Sequence, residues 1–289
     1  MRVRRRSPRR RSLRRRLPRR YAVVLVLAVL AVLAGAVGPV ALGAFSNGSA
    51  KDRIAADPPP ALFPEADVAP IGGQVDAQAV TAHRLMADWW KTHDHGRHDA
   101  DFIAWVEKTL PGPPSSSQRD KEVADVVALA KKRTPAGVRA STWLESYGKK
   151  DVWKLYAHDQ AEVLSAKRGD AGKQAVKDAL KMSKTVADAL GTRYRESAPY
   201  VLHPSLRPDH VVTAGQVCPC SYPSRHAAAG AAASTYLSSL DPHRVGEYRW
   251  MQSEIDWSRV YMAGHTVSDV TGGALLGDMI GEYFAVTRR

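Results

Sequence analysis

Acidic residues are missing from the first 20 positions, which hold 12 of the chain's 42 lysines and arginines. The net charge of +13 is therefore a property of one tail, because the rest of the chain carries 30 basic groups against 29 acidic ones. A nucleic-acid-binding domain needs a basic face on its folded part, and nothing in the near-neutral body supplies one. Cysteine is scarce too: Cys218 and Cys220 are the only two, on either side of Pro219. Two thiols alone make a poor metal site. Closing a disulfide over so small a ring demands strained geometry, although an oxidising compartment permits one, so a disulfide and two free thiols both stay open. Strand-type alternation and internal repeats are absent as well, which leaves a mainly α-helical chain.

Charge is absent from residues 21–45, a run dominated by Val, Leu and Ala directly behind the arginine block. A bilayer core about 30 Å thick needs about 20 apolar residues, and flanking arginines stay on the cytoplasmic side. The expected organisation is a cytoplasmic Arg-rich tail over 1–20 and a transmembrane anchor over 21–45. A Pro-, Ala-, Gly- and Asp-rich linker over 46–78 follows, then a helical domain over 79–289. The chain is expected in the cell membrane as a single-pass protein with its domain on the extracytoplasmic side. It would be secreted if Ala41-Leu42-Gly43-Ala44 marks a cleavage site.

Within the domain, amphipathic spacing predicts helices over 79–91, 101–110, 119–132, 151–167 and 171–193, with Pro111-Gly112-Pro113-Pro114 as a break. His93-Asp94-His95-Gly96-Arg97-His98-Asp99-Ala100-Asp101 gathers three histidines and three aspartates. The density of charge and Gly96 suit a solvated loop. A metal reading also exists, but no recognised ligand spacing such as His-Glu-x-x-His is present.

Two stretches carry chemistry. Residues 258–269 read Ser-Arg-Val-Tyr-Met-Ala-Gly-His-Thr-Val-Ser-Asp. On a helix His265 and Asp269 share a face, where a carboxylate holds one imidazole tautomer for a nucleophile or base. Arg259 reaches that face only if the chain bends at Gly264, and its guanidinium suits two phosphate oxygens. Residues 221–230 read Ser-Tyr-Pro-Ser-Arg-His-Ala-Ala-Ala-Gly. A Pro-Ser-x-His turn opening an Ala-rich helix puts Ser224, His226 and unpaired backbone N–H groups at a helix N-terminus, which attracts phosphate.

Together these stretches resemble motifs two and three of the phosphatidic acid phosphatase type 2 superfamily: Pro-Ser-Gly-His, then Ser-Arg-five residues-His-three residues-Asp. The third motif matches at every defined position, and the second has Arg225 where glycine is usual. The resemblance covers about residues 190–287. It implies an all-α helical bundle of the acid phosphatase/vanadium haloperoxidase type, of the soluble acid phosphatase-like branch, behind one transmembrane helix. It further implies a phosphoric ester hydrolase that uses no metal and no cofactor, acting on phosphomonoesters or lipid phosphates. In that scheme His265 attacks phosphorus, Asp269 orients it, and His226 protonates the leaving group. Arg259, Ser224 and Arg225 hold the phosphate oxygens.

The first family motif, Lys-six residues-Arg-Pro, is where the sequence departs. Ala198 stands before Pro199 where its arginine belongs, and Arg193 or Arg195 is the expected substitute. Arg207-Pro208 is a literal Arg-Pro pair, with Tyr200 in its lysine position. Losing one such cation costs about 2–4 kcal/mol of transition-state stabilisation. Two alternatives follow from the same residues: a vanadate-dependent haloperoxidase, and a non-catalytic anchored scaffold with a degenerate site. The expected partners are a phosphate ester, small or lipid, and a membrane through residues 21–45, with no nucleic acid.

Overall fold

The structure, a computed structural model, describes residues 48–209 and 220–287. Within them the chain forms α1 (Ala50–Ala56), α2 (Glu65–Trp89), α3 (Asp99–Thr109), α4 (Ser116–Ala130), α5 (Pro135–Tyr147) and α6 (Asp151–Glu162). It continues through α7 (Ala166–Tyr194), the single turn α8 (Pro199–Leu202), α9 (Arg225–Leu240), α10 (Val245–Tyr261) and α11 (Val267–Thr287). Two 3₁₀ turns, Pro204–Leu206 and Pro242–Arg244, join them. The only β pairing among the described residues is an isolated bridge between Ser197 and Cys220. The fold is an all-α bundle.

The helix starts are written locally. Ser49 and Asp52 cap α1 reciprocally, Ser115 accepts from the Gln118 N–H, and Thr134 accepts from the Gly137 N–H with Pro135 in the first turn of α5. The last of these marks a helix over 135–147 that apolar spacing alone does not announce. Residues 48–78, within the stretch expected to be a linker, are largely folded. Its proline content hides an i, i+3, i+7 stripe of Val68, Ile71 and Val75, all buried, which starts α2 at Glu65 and carries it past Pro70. Phe63, ahead of that helix, packs edge-on to Tyr261 and gives its N–H to Glu254 Oε2 at 3.1 Å.

At the centre α9 lies along α11, with α7 against α9 and α2 against α11. Gly273, Gly277 and Gly281 repeat every four residues on α11 and face the alanine-rich side of α9. A methyl group on Gly277 would sit 2.3 Å from the Ala228 carbonyl oxygen, and one on Gly273 2.4 Å from that of Ser224. Small residues on both faces let the two backbones touch. That contact fixes the start of α9 beside the start of α11, where the Ser224 N–H donates to the Asp269 carbonyl at 2.9 Å.

Among the described residues no helix is long and apolar enough to cross a membrane. The anchor expected over residues 21–45 lies outside the described residues. The expectation of a transmembrane helix in the fold, of a membrane partner and of single-pass localisation is corrected accordingly: α9 and α11, the most apolar helices, turn their apolar faces to each other and to α2 and α7.

Candidate active site

Helix α10 ends at Tyr261, and Ala263 takes a left-handed conformation (φ 58°), which costs a residue with a side chain about 1–2 kcal/mol. Two hydrogen bonds offset this, since the N–H groups of Gly264 and His265 both donate to the Arg259 carbonyl, at 3.0 and 3.2 Å. The chain therefore doubles back and sets His265 beside Arg259. His265 precedes α11 rather than sharing a helix with Asp269.

This changes the role of Asp269. Its carboxylate, fully buried, accepts the Thr266 N–H at 2.7 Å and Arg119 Nη1 at 2.8 Å. What holds the His265 ring is a backbone group: Nδ1 lies 2.8 Å from the Ser221 carbonyl. A carbonyl only accepts, so Nδ1 carries the proton and Nε2 carries the lone pair. The expected orienting bond from Asp269 is replaced by Ser221, while Asp269 acts on His265 by charge.

Arg119, on α4, ties these parts together. It donates to Asp269, to the Ser197 carbonyl at 2.6 Å and to Ser221 Oγ at 2.7 Å, and pairs with Glu196 at 3.0 Å. It fixes the strand-like segment whose carbonyl holds His265. Glu122, one turn on, accepts the Ser268 N–H at 3.2 Å and its hydroxyl at 2.5 Å, closing the start of α11. Neither residue belongs to a motif. A signal existed: Arg119 and Glu122 fall on the same stripe as buried Val123 and Val126.

Ser224 caps α9, and by helix geometry the N–H groups of Arg225 and His226 have no intrahelical partner. His226 places Nε2 at 3.1 Å from the Glu145 carbonyl at the end of α5. That bond puts the proton on Nε2 and leaves Nδ1 to gain and lose one. Arg225, by contrast, is exposed and pairs with Asp188 of α7 at 3.0 Å.

The cations near the two imidazoles differ from those expected. Arg259 is buried, with Nη2 donating to the Ser141 carbonyl at 3.0 Å, Nε to Ser258 Oγ at 3.1 Å, and Nη1 at 3.4 Å from Glu145 Oε1. Arg207, the literal Arg-Pro arginine, is buried on the other side of Glu145 at 3.3 Å. Lys149 stands half-buried in the turn between α5 and α6, with no ion pair among the described residues. Arg193 and Arg195 are elsewhere: both are exposed, Arg193 binds Glu107 on α3, and Arg195 is the left-handed C-cap of α7.

The titration behaviour follows from this crowding. Burial, then the opposing charge of Asp269 and the adverse one of Arg259, leave His265 at about 4. Burial, Arg259 and His265 hold His226 well below the ordinary imidazole range. Burial, only partly offset by Glu145 and reinforced by Arg207, brings Arg259 down to about 10. Burial and then Arg225 lower Lys149. A group of bases that all resist protonation marks a region of positive potential.

No protein-family model matches the chain, and no curated protein matches it.

The His93–Asp101 loop spends its polar groups on local pairs and on Tyr283, whose hydroxyl accepts the His98 N–H at 2.6 Å and donates to Asp99 at 2.8 Å. His93 stacks on Trp89 with ring centres 3.4 Å apart, His98 lies 2.6 Å from Asp94, and Arg97 pairs with Asp99. Among the described residues no cluster of three or more His, Cys, Asp or Glu side chains is arranged to hold a metal ion. Cys220 is disulfide-bonded, and Cys218 lies outside the described residues.

Proposed function

We propose that this site hydrolyses phosphomonoesters through a phosphohistidine on His265, the chemistry of the superfamily that the 223–226 and 258–269 motifs resemble. The observation that carries the reading is the Ser221 carbonyl on His265 Nδ1, which turns the Nε2 lone pair into the reactive one beside a buried arginine and an open helix start. At neutral pH His265 is uncharged, as a nucleophile must be.

In the first step Nε2 bonds to phosphorus and the bond to the leaving oxygen breaks. Arg259, Arg207, the N–H groups of Arg225 and His226, and Lys149 stabilise charge on the equatorial oxygens. His226, protonated at Nδ1 once a dianion offsets its cationic neighbours, gives that proton to the leaving oxygen. It then takes a proton from water as the water oxygen attacks phosphorus and the P–N bond breaks, releasing phosphate and restoring His265. Asp269 stabilises the phosphorylated imidazole by its charge, and Arg119 positions Asp269 and Ser221 together. Of the expected phosphate-binding residues, Arg259 and Ser224 keep a place in this scheme. Arg225 contributes its backbone, and Arg193 and Arg195 contribute nothing.

The test is hydrolysis of p-nitrophenyl phosphate by the purified full chain, with chelator, and with and without vanadate. Turnover that vanadate inhibits and that His265→Ala abolishes is the expected result. Turnover unchanged in His265→Ala rejects the assignment. Halide oxidation in the presence of vanadate supports the haloperoxidase instead, and silence in both assays supports a scaffold.

A further inference from the structure

Glu145 stands where the proposed reaction has no need of a carboxylate. Its Oε1 lies 3.4 Å from Arg259 Nη1, and its Oε2 lies 3.3 and 3.4 Å from Arg207 Nη1 and Nη2. Both guanidiniums are buried, with side chains 4% and 5% exposed, whereas the Glu145 side chain is 33% exposed. Arg207 also has Asp209 at 3.1 and 3.2 Å, and Arg259 has the Ser141 carbonyl and Ser258. The carboxylate therefore bonds to both arginines at once.

Its bonds are long. Charge-assisted N–H···O bonds run at about 2.7–2.9 Å, and the Arg119–Asp269 bond nearby, at 2.8 Å, shows what a close pair looks like in this fold. Glu145 also occupies the last turn of α5, the end of a helix where a negative charge is disfavoured. Nothing in α5 itself favours an acid there; the arginines do. The backbone carbonyl of the same residue receives His226, so the carboxylate and the proposed acid lie within one residue of each other.

We propose that the Glu145 carboxylate is an internal anion, occupying the position between Arg207 and Arg259 that a phosphate group takes, and that binding requires it to swing out to solvent. The inference rests on the oxyanion-binding reading of this site. Two oxygens on a planar fork imitate two phosphate oxygens, and the side chain is already one-third exposed to solvent. The device keeps two buried cations neutralised when the site is empty and lowers the apparent affinity for phosphate by the fraction of time it is in place. It favours dianionic phosphomonoesters, which compete better for the arginines than singly charged diesters.

The experiment measures inorganic phosphate binding by calorimetry, and KM and kcat on p-nitrophenyl phosphate, for the full chain and for Glu145→Gln and Glu145→Asp. If the carboxylate is in place about nine-tenths of the time, Glu145→Gln binds phosphate about tenfold more tightly. KM falls with it, and kcat does not rise. Glu145→Asp, one methylene shorter and unable to bridge both guanidiniums, falls between. Unchanged or weaker phosphate binding in Glu145→Gln, with the unaltered chain binding phosphate normally, overturns the inference and leaves the phosphatase reading standing. Absence of phosphate binding in all three proteins overturns both.

Discussion

Arg119 offers the sharpest test of how the bundle holds its site. Its side chain is 7% exposed and makes four polar contacts between 2.6 and 3.0 Å, to Asp269, Glu196, Ser197 and Ser221. Arg119→Met keeps much of the volume and removes every one of them. Among the described residues Asp269, with no exposure, is then left with the Thr266 N–H as its remaining bond. Removing one partner of a buried ion pair costs about 3–5 kcal/mol, a large share of the roughly 5–15 kcal/mol by which domains are stable. Urea unfolding should show that loss as a lower midpoint with an unchanged slope. Asp269→Asn in the same background needs no counter-charge, so the double variant should recover about 2 kcal/mol as coupling energy. Activity should fall through kcat more than through KM, because the Ser221 carbonyl that fixes His265 loses its anchor. A cost below about 1 kcal/mol with no coupling would place this pair among surface ion pairs and refute the reasoning.

Other outcomes follow from the same structure. Glu254 is fully buried and raised to about 7, first by burial, so the folded state holds a proton that the unfolded chain has released. Stability is then full below about pH 4.5 and declines as pH rises towards and past 7. Glu254→Gln, which can still accept the Phe63 N–H, should match the original at pH 4 and exceed it by about 3 kcal/mol at pH 8 in denaturant titrations. His265 has the opposite sign. The unfolded chain takes up a proton near pH 6.5 that folded His265 refuses until about 4, so its share of stability is lost as pH falls through that window, at about 1.4 kcal/mol per unit. His265→Gln should flatten that slope. Gly277→Ala should lose about 1–3 kcal/mol against a gain in helix propensity of about 1, because its new methyl meets the Ala228 carbonyl at 2.3 Å. Gly273→Ala should add a loss of activity, since its contact is the Ser224 carbonyl.

The residues whose local setting was legible in the sequence are those whose positions depend on a local turn. Ser224 caps α9 because a Pro-Ser step before an alanine run has few other options, and His226 follows one residue inside the helix. Arg259 and His265 meet because the chain bends near Gly264, although the left-handed residue is Ala263. Side-chain direction was not legible. Arg225 begins α9 like its neighbours but turns to Asp188, and Arg193 leaves α7 on the side of α3. Partners from distant segments were not legible either: Arg119 and Glu145 come from helices without motifs and Lys149 from the turn after α5, and only packing brings them to the surroundings of His226 and His265. The 46–78 stretch shows the remaining weakness. Proline and glycine content suggested a tether, while three apolar residues at helical spacing decided its structure.

The most direct measurement is capture of the covalent intermediate. With p-nitrophenyl phosphate the leaving group departs without a proton, so His226→Ala should form the phosphohistidine and hydrolyse it slowly. Alkaline quench followed by peptide mass spectrometry should then find phosphate on His265 in His226→Ala, and on no residue in His265→Ala. An enzyme that turns over substrate and carries no phosphate on His265 under these conditions would contradict the assignment of this site.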